Sequence, residues 1–226
     1  MIKPALLFDL DGTVTNPAPG FLASIRYAME KLGVPYWPDE KLLPFIGPPL
    51  RQSMGTILET DDPELIEEGV ELYRYRLDNG GKFEAEIHDG IPEILEHFSA
   101  LEYPLFICTG KPECVAGEIV THFGLRHFFR EVYGAKLDGT HGDKADLIRH
   151  IRQEQDLTKT PPIMIGDTAF DIRAAKANDL SSIGVSWGFG SKDILLSEGA
   201  DVLVSTPSGL KSAIENLAPN HFSRTQ

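Results

Sequence analysis

The sequence predicts an α/β fold: a parallel sheet covered by helices on both faces, with a helical segment inserted after the first strand. Three observations predict it. Short apolar runs bounded by turn residues recur at 5–10, 105–108, 163–165, 182–185 and 202–204, with 131–133 a further candidate, and each has the length of a buried strand. Helical patterns at 91–101, 112–123, 144–153, 171–178 and 209–217 lie between these runs, and such alternation implies crossovers and therefore a parallel sheet buried on both sides. The stretch from Thr15 to Glu86 breaks the rhythm, because it holds helical patterns at 20–32, 50–58 and 63–77 and no convincing strand.

That break defines the expected organisation. Residues 1–15 and 87–226 form the α/β core and 16–86 a helical cap. The chain re-enters the core at Asp89-Gly90-Ile91-Pro92, where glycine and proline punctuate the start of a core helix. Two crossing linkers would let the insert move as a lid. Within it, 45–51 reads as a turn joining two helices, and the polar tail from Pro219 to Gln226 is expected to fray.

Composition limits the function classes. With 226 residues, 42% of them hydrophobic, the chain can bury a substantial core without staples. A formal charge of −13 and the lack of any basic cluster argue against nucleic-acid or anionic-membrane partners, which repel an acidic surface. Cys108 and Cys114 form no CxxC pair and suggest neither a disulfide framework nor a zinc site, so reduced thiols are expected. The apolar stretch before Asp9 is too short for a signal peptide or a membrane span, which leads to the expectation of a soluble, cytoplasmic protein.

Chemistry concentrates at the expected strand ends. Phe8-Asp9-Leu10-Asp11-Gly12-Thr13 closes the first strand, and ligands of open α/β sheets sit at the carboxyl ends of strands. Alternate residues on an extended chain share a face, so Asp9 and Asp11 point toward one small space. Two carboxylates so close repel unless a proton or a cation compensates, and Mg²⁺ is a hard cation that accepts such oxygens. A second strand ends in Cys108-Thr109-Gly110-Lys111-Pro112, where a hydroxyl and free backbone N–H groups before a helix could hold an anion. A bound anion calls for a cation near its oxygens, for which Lys136 and Lys144 are both candidates, with Lys144 opening the helix before the 163–165 strand. Finally, Ile163-Met164-Ile165-Gly166-Asp167-Thr168-Ala169-Phe170-Asp171 runs from strand to tight turn to helix. It places Asp167 within reach of a cation held by Asp9, and Asp171 in the next first turn as a further ligand or a support.

Taken in order, these motifs resemble those of haloacid dehalogenase-like phosphatases, and the match spans nearly the whole chain. The resemblance implies a Rossmann-like core, a nucleophile at Asp9 that forms an aspartyl phosphate, and an acid/base at Asp11 that protonates the leaving alcohol and then activates water. It further implies that Thr109, with Gly110, holds a phosphoryl oxygen and that Lys144 steadies the charge. Mg²⁺ would bind Asp9, Asp167 and the backbone carbonyl of Asp11. A hydrolytic dehalogenase needs no acid for its halide, so Asp11 favours phosphoryl transfer, with phosphatase ahead of phosphomutase.

The segments at 137–146 and at Val185-Ser186-Trp187-Gly188-Phe189-Gly190-Ser191 look like the phosphoglycolate phosphatase branch, which also holds nucleotidases. This makes 2-phosphoglycolate the leading substrate among small phosphorylated metabolites. Arg26, Arg51, Arg74 and Arg76 of the insert are candidates for a second anionic group, with Arg51 carried forward as substrate-binding. Gly188-Phe189-Gly190-Ser191-Lys192-Asp193 lacks the last glycine of a dinucleotide fingerprint and follows a late strand, and no P-loop occurs. A non-catalytic binding protein on the same fold is the rival reading from another class.

Overall fold

The computed structural model describes residues 3–218. In chain order the elements are β1 (Leu6–Phe8), β2 (Thr15–Asn16), α1 (Ala18–Lys31), α2 (Asp39–Leu42), α3 (Leu50–Ile57), α4 (Pro63–Asp78), β3 (Glu86–Ile87) and α5 (Ile91–Ala100). They continue through β4 (Leu105–Pro112), α6 (Glu113–His122), β5 (Glu131–Ala135), α7 (Lys144–Glu154), β6 (Ile163–Gly166), α8 (Ala169–Ala177), β7 (Ser181–Val185), α9 (Lys192–Ser197), β8 (Val202–Val204) and α10 (Pro207–Leu217). The tail expected to fray lies outside the described residues.

Six strands make one parallel sheet in the order β5-β4-β1-β6-β7-β8. The α/β fold expected from alternation is thus the one observed. From β1 the chain builds outward through β4 to β5, then crosses back to place β6 on the other side of β1. The carboxyl end of β1 is therefore the topological switch point of the sheet, the place where such folds open a crevice.

Why the strands read as unbroken apolar runs is visible in the core. Leu6 and Phe8 join Ile107, Ile165, Ile183 and the buried faces of α5, α6 and α10 on one side. Ala5 and Leu7 join Phe106, Cys108, Met164 and the faces of α7 and α8 on the other. Both faces of β1 are dry, so neither can carry polar residues. Cys108 is buried and Cys114 exposed, both free, and burial pushes the Cys108 thiol up to about 12.

The chain divides into two compact units, Met1–Thr15 with Ile87–Gln226, and Asn16–Glu86. The second is helical, and its own core holds Ile25, Met29, Leu42, Met54, Ile57 and Val70, with Phe21 and Tyr73 meeting edge to face. The two chain crossings pair as a short ribbon, β2 with β3, in a stretch where the sequence carries no strand pattern. No helix among the described residues is long and apolar enough to cross a membrane.

Several boundaries shift for local reasons. β1 stops at Phe8 because the chain turns at once after Asp9. α6 begins at Glu113, not Pro112, since β4 runs on through Pro112 with a register shift after Cys108. α8 begins at Ala169, two positions before Asp171, because Thr168 and Asp171 cap it reciprocally. Phe98 on α5 is fully buried against Tyr103, their rings 5.0 Å apart edge to face. Phe98→Ala is expected to cost about 3–5 kcal/mol in urea unfolding; a loss below about 1 kcal/mol would mean that this side of the core repacks freely.

Candidate active site

The site grows from the end of β1. Asp9 N–H still donates to Ile165 O at 2.9 Å, so Asp9 is held in the sheet ladder. The chain then wraps around one carbonyl: Leu10 O accepts from Val14 N and Thr15 N at 2.9 Å each. Gly12, at φ +83°, makes this turn possible, and any Cβ there would also lie 2.2 Å from Asp167 Oδ2.

Lys144 comes from α7, which packs on the Leu7 face of the sheet. It is the first residue of α7, whose N-cap Asp143 accepts from Ala145 N at 2.9 Å and Asp146 N at 3.1 Å. Asn178 Nδ2 ties this turn to α8 by donating to Ala145 O at 3.0 Å and Ala174 O at 2.9 Å. The Lys144 ammonium lies 3.0 Å from Asp9 Oδ1 and in direct contact with Asp171 Oδ1. Lys136, the other candidate, pairs instead with Glu113.

Asp171 is saturated. Its Oδ1 accepts from Lys144, and its Oδ2 accepts from Thr168 N at 2.9 Å and Thr168 Oγ1 at 2.8 Å. Asp171 therefore spends its oxygens on capping α8 and anchoring Lys144, which favours the supporting role over that of a direct ligand. Asp167 is fully buried, and accepts from Thr13 Oγ1 at 3.2 Å and Phe189 N at 2.8 Å.

Three glycines make room for Asp167. A Cβ at Gly188 would lie 2.3 Å from its Oδ2 and one at Gly190 1.9 Å from its carbonyl oxygen, in addition to the clash at Gly12. Gly188-Phe189-Gly190 is thus a cradle for a buried carboxylate, a role that the sequence motif alone does not disclose. Trp187 Nε1 donates to Thr13 O at 3.1 Å and so braces the same turn. Thr13, Trp187 and Phe189 escaped the sequence reading because their contributions come from long-range contacts; the only signal was the glycine spacing.

Carboxylate oxygens of Asp9, Asp167 and Asp171 lie within 4.8 Å of one another, all three residues buried. Burial, opposed by Lys144 and reinforced by Asp171 and Asp11, pushes Asp9 up to about 6. Burial and the Asp171 and Asp9 charges, partly offset by the Phe189 N–H and by Lys144, push Asp167 up to about 8. Burial works against the Lys144 charge, yet Asp171 and Asp9 outweigh it and hold the ammonium above the usual lysine range. Asp9 Oδ1 sits near Lys144 but off any hydrogen-bonding direction, and Asp11 Oδ1 is likewise buried without a hydrogen bond. Unsatisfied oxygens and unrelieved repulsion fit a hard divalent cation, and the all-oxygen donor set suits Mg²⁺.

Thr109 is buried at the end of the apolar part of β4, and its Oγ1 accepts from Lys111 N at 3.3 Å. Gly110 is exposed, with open space around it. The helix expected directly after this pair starts only at Glu113, so the N–H groups beside Thr109 belong to an irregular strand extension, not to a helix terminus. Lys111 Nζ reaches Asp11 Oδ2 at 2.7 Å. Arg51 forms a two-pronged pair with Glu67, at 2.7 and 2.8 Å, inside the helical unit. Arg26 pairs with Asp39, and Arg76 with Glu84, in the same unit.

Residues 6–185 match the family model described as haloacid dehalogenase-like hydrolase, and the chain belongs to that family. It is 37% identical over 213 residues to a 5'-nucleotidase of Pseudomonas aeruginosa, covering 94% of this chain and 96% of that one. It is 28% identical to a phosphoglycolate phosphatase of Neisseria meningitidis, with 95% and 94% covered. Among solved structures, a protein described as a predicted phosphatase from Clostridium acetobutylicum superposes with a TM-score of 0.88 at 33% identity, covering 96% of this chain and all of that one.

The raised carboxyls carry a pH signature. Asp9 and Asp167 hold protons in the folded, metal-free protein that the unfolded chain, with carboxyls near 3.8, has already released. Stability of the metal-free protein is therefore expected to fall as pH rises from about 4 to about 8. Thermal melts in EDTA should show this, Mg²⁺ should restore the loss at the upper end, and Asp167→Asn should flatten the slope. Melting temperatures that rise across the window would contradict the assignment of buried, mutually repelling acids. Gly188→Ala should displace Asp167 and abolish the Mg²⁺-dependent gain, whereas the same change at Gly110, in open space, should leave it intact.

Proposed function

We propose that this chain is a Mg²⁺-dependent phosphatase of small phosphate monoesters that works through a phosphoryl group carried on Asp9. The observation that carries the reading is the cluster at the switch point: three buried carboxylates with one lysine inserted between Asp9 and Asp171. A site meant only to stabilise the fold would not bury such repulsion.

In this reading Asp9 attacks phosphorus, the bond from phosphorus to the ester oxygen breaks, and the departing oxygen takes a proton from Asp11 to leave as the alcohol. Asp11 then takes a proton from water as that water attacks the phosphoryl group. The bond to Asp9 breaks, which releases phosphate and restores the carboxylate. Thr109 and Lys144 hold phosphoryl oxygens, and Lys144 is itself held by Asp171. Mg²⁺ held by Asp9, Asp167 and the Asp11 carbonyl would supply positive charge to the phosphoryl oxygens.

Substrate choice is assigned to the helical insert acting as a cap. Nucleoside 5'-monophosphates stand first, supported by the higher identity to the nucleotidase, and 2-phosphoglycolate second, supported by the lower one and by the segments around Lys144 and Trp187. The engagement of Arg26, Arg51 and Arg76 with acids of their own unit removes much of the case for a carboxylate-binding arginine there. An acidic chain of this kind fits a small-metabolite enzyme of the cytoplasm.

The test is phosphate release from a panel of nucleoside monophosphates, 2-phosphoglycolate and sugar phosphates, with Mg²⁺ or EDTA. Turnover is expected with Mg²⁺ only and should disappear in Asp9→Asn, while Lys144→Met should lose at least about 100-fold. Full activity of Asp9→Asn would overturn the mechanism. A folded, Mg²⁺-binding protein inert on every ester would favour a binding protein, and transfer to a second hydroxyl without phosphate release a mutase.

A further inference from the structure

The described core has a second lysine at this site for which the mechanism above has no use. Lys111 Nζ lies 2.7 Å from Asp11 Oδ2, and the two side chains are only 12% and 22% exposed. The ion pairs of the helical unit differ: the two arms of Arg51–Glu67 are 60% and 40% exposed. The Lys111–Asp11 pair is sheltered, and its geometry is built from the backbone outward.

Lys111 stands on the irregular extension of β4, where its N–H donates to Thr109 Oγ1 at 3.3 Å. Behind it, a Cβ at Gly134 of β5 would lie 2.5 Å from Lys111 O and 2.8 Å from Glu113 N, so only glycine lets β5 close on this stretch. Glu113, in turn, is clamped by Lys136. The lysine stem therefore starts from a fixed point and ends on the one carboxylate asked to handle protons. Asp11 needs such a partner, because its other oxygen is buried without a hydrogen bond.

An ammonium 2.7 Å from one carboxylate oxygen is a charge-assisted contact that holds the carboxylate in one orientation and leaves Asp11 Oδ1 as the oxygen to exchange a proton. That helps one half of the reaction. The contact is charge-assisted only while Asp11 is a bare carboxylate, the form that receives the proton of the attacking water; an Asp11 that carries the proton for the leaving alcohol is neutral and is held less firmly. We propose that Lys111 is a positioning residue for Asp11 in the second half-reaction, the hydrolysis of the aspartyl phosphate. The inference rests on the phosphatase reading, and deepens it by giving the site two lysines with separate duties: Lys144 at the phosphoryl group, Lys111 at the base.

The test separates the two half-reactions. With radiolabelled p-nitrophenyl phosphate and Mg²⁺, rapid-quench kinetics give the rate of phosphoryl transfer to Asp9 from p-nitrophenolate release, and the rate of adduct decay after a chase. This leaving group departs without an acid, so transfer reports on attack alone. In Lys111→Met, adduct decay should slow about tenfold while transfer and KM stay within about twofold, and Lys111→Arg should restore much of the decay rate. Lys111→Gln, which keeps a hydrogen-bond donor without the charge, should behave like Lys111→Met and covers the case in which methionine does not fold. Slower transfer with unchanged decay, a raised KM with unchanged decay, or wild-type rates throughout would each overturn the assignment. Failure of the wild-type protein to form any adduct would instead overturn the phosphatase reading beneath it.

Discussion

Lys144 is buried to 10% exposure between two carboxylates that are themselves buried, and the rest of the core is arranged so that this contact can exist. Three acids and one ammonium in a dry space are not a favourable group on their own, since removal of ions from water costs several kcal/mol for each. Asp143 caps the helix that delivers the lysine, Asn178 ties that helix to its neighbour, and Asp171 is fixed from both oxygens. Without that scaffold, the lysine would turn to solvent and Asp9 would protonate or move.

The uncompensated part of this charge is what sets the site apart from an ordinary buried ion pair. Lysine neutralises one acid of three, and the remainder appears as carboxyls pushed up toward neutral pH. A divalent cation would offset that remainder. Glycines take part in this: those at 12, 188 and 190 admit the Asp167 carboxylate where any side chain would collide.

The helical unit follows a different logic. Three of its arginines pair with acids of the same unit, Arg26 with Asp39, Arg51 with Glu67 and Arg76 with Glu84, around an apolar core.

Much of the fold was legible because buried parallel strands leave an unmistakable record: every position of β1 and β6 is dry, so the sequence there can only be apolar. The acids at the strand ends stood out against those runs for the same reason. Element edges were less legible, since α8 starts at a reciprocal cap and β4 runs on through an irregular stretch, and both depend on hydrogen bonds and not on residue type. Between Lys136 and Lys144 the sequence favoured Lys144 by its place before the 163–165 strand and by resemblance alone; the contacts show Lys144 beside Asp9 and Lys136 held by Glu113. By itself, then, the sequence determined the alternation of strand and helix, the place of the insert and the acids at the mouth of the sheet, because periodicity and polarity are local. Only the tertiary structure decided the partners of those acids, Lys144 for Asp9, Lys111 for Asp11 and a glycine cradle for Asp167, because distances between residues as much as 174 positions apart are set by the packing of the whole core.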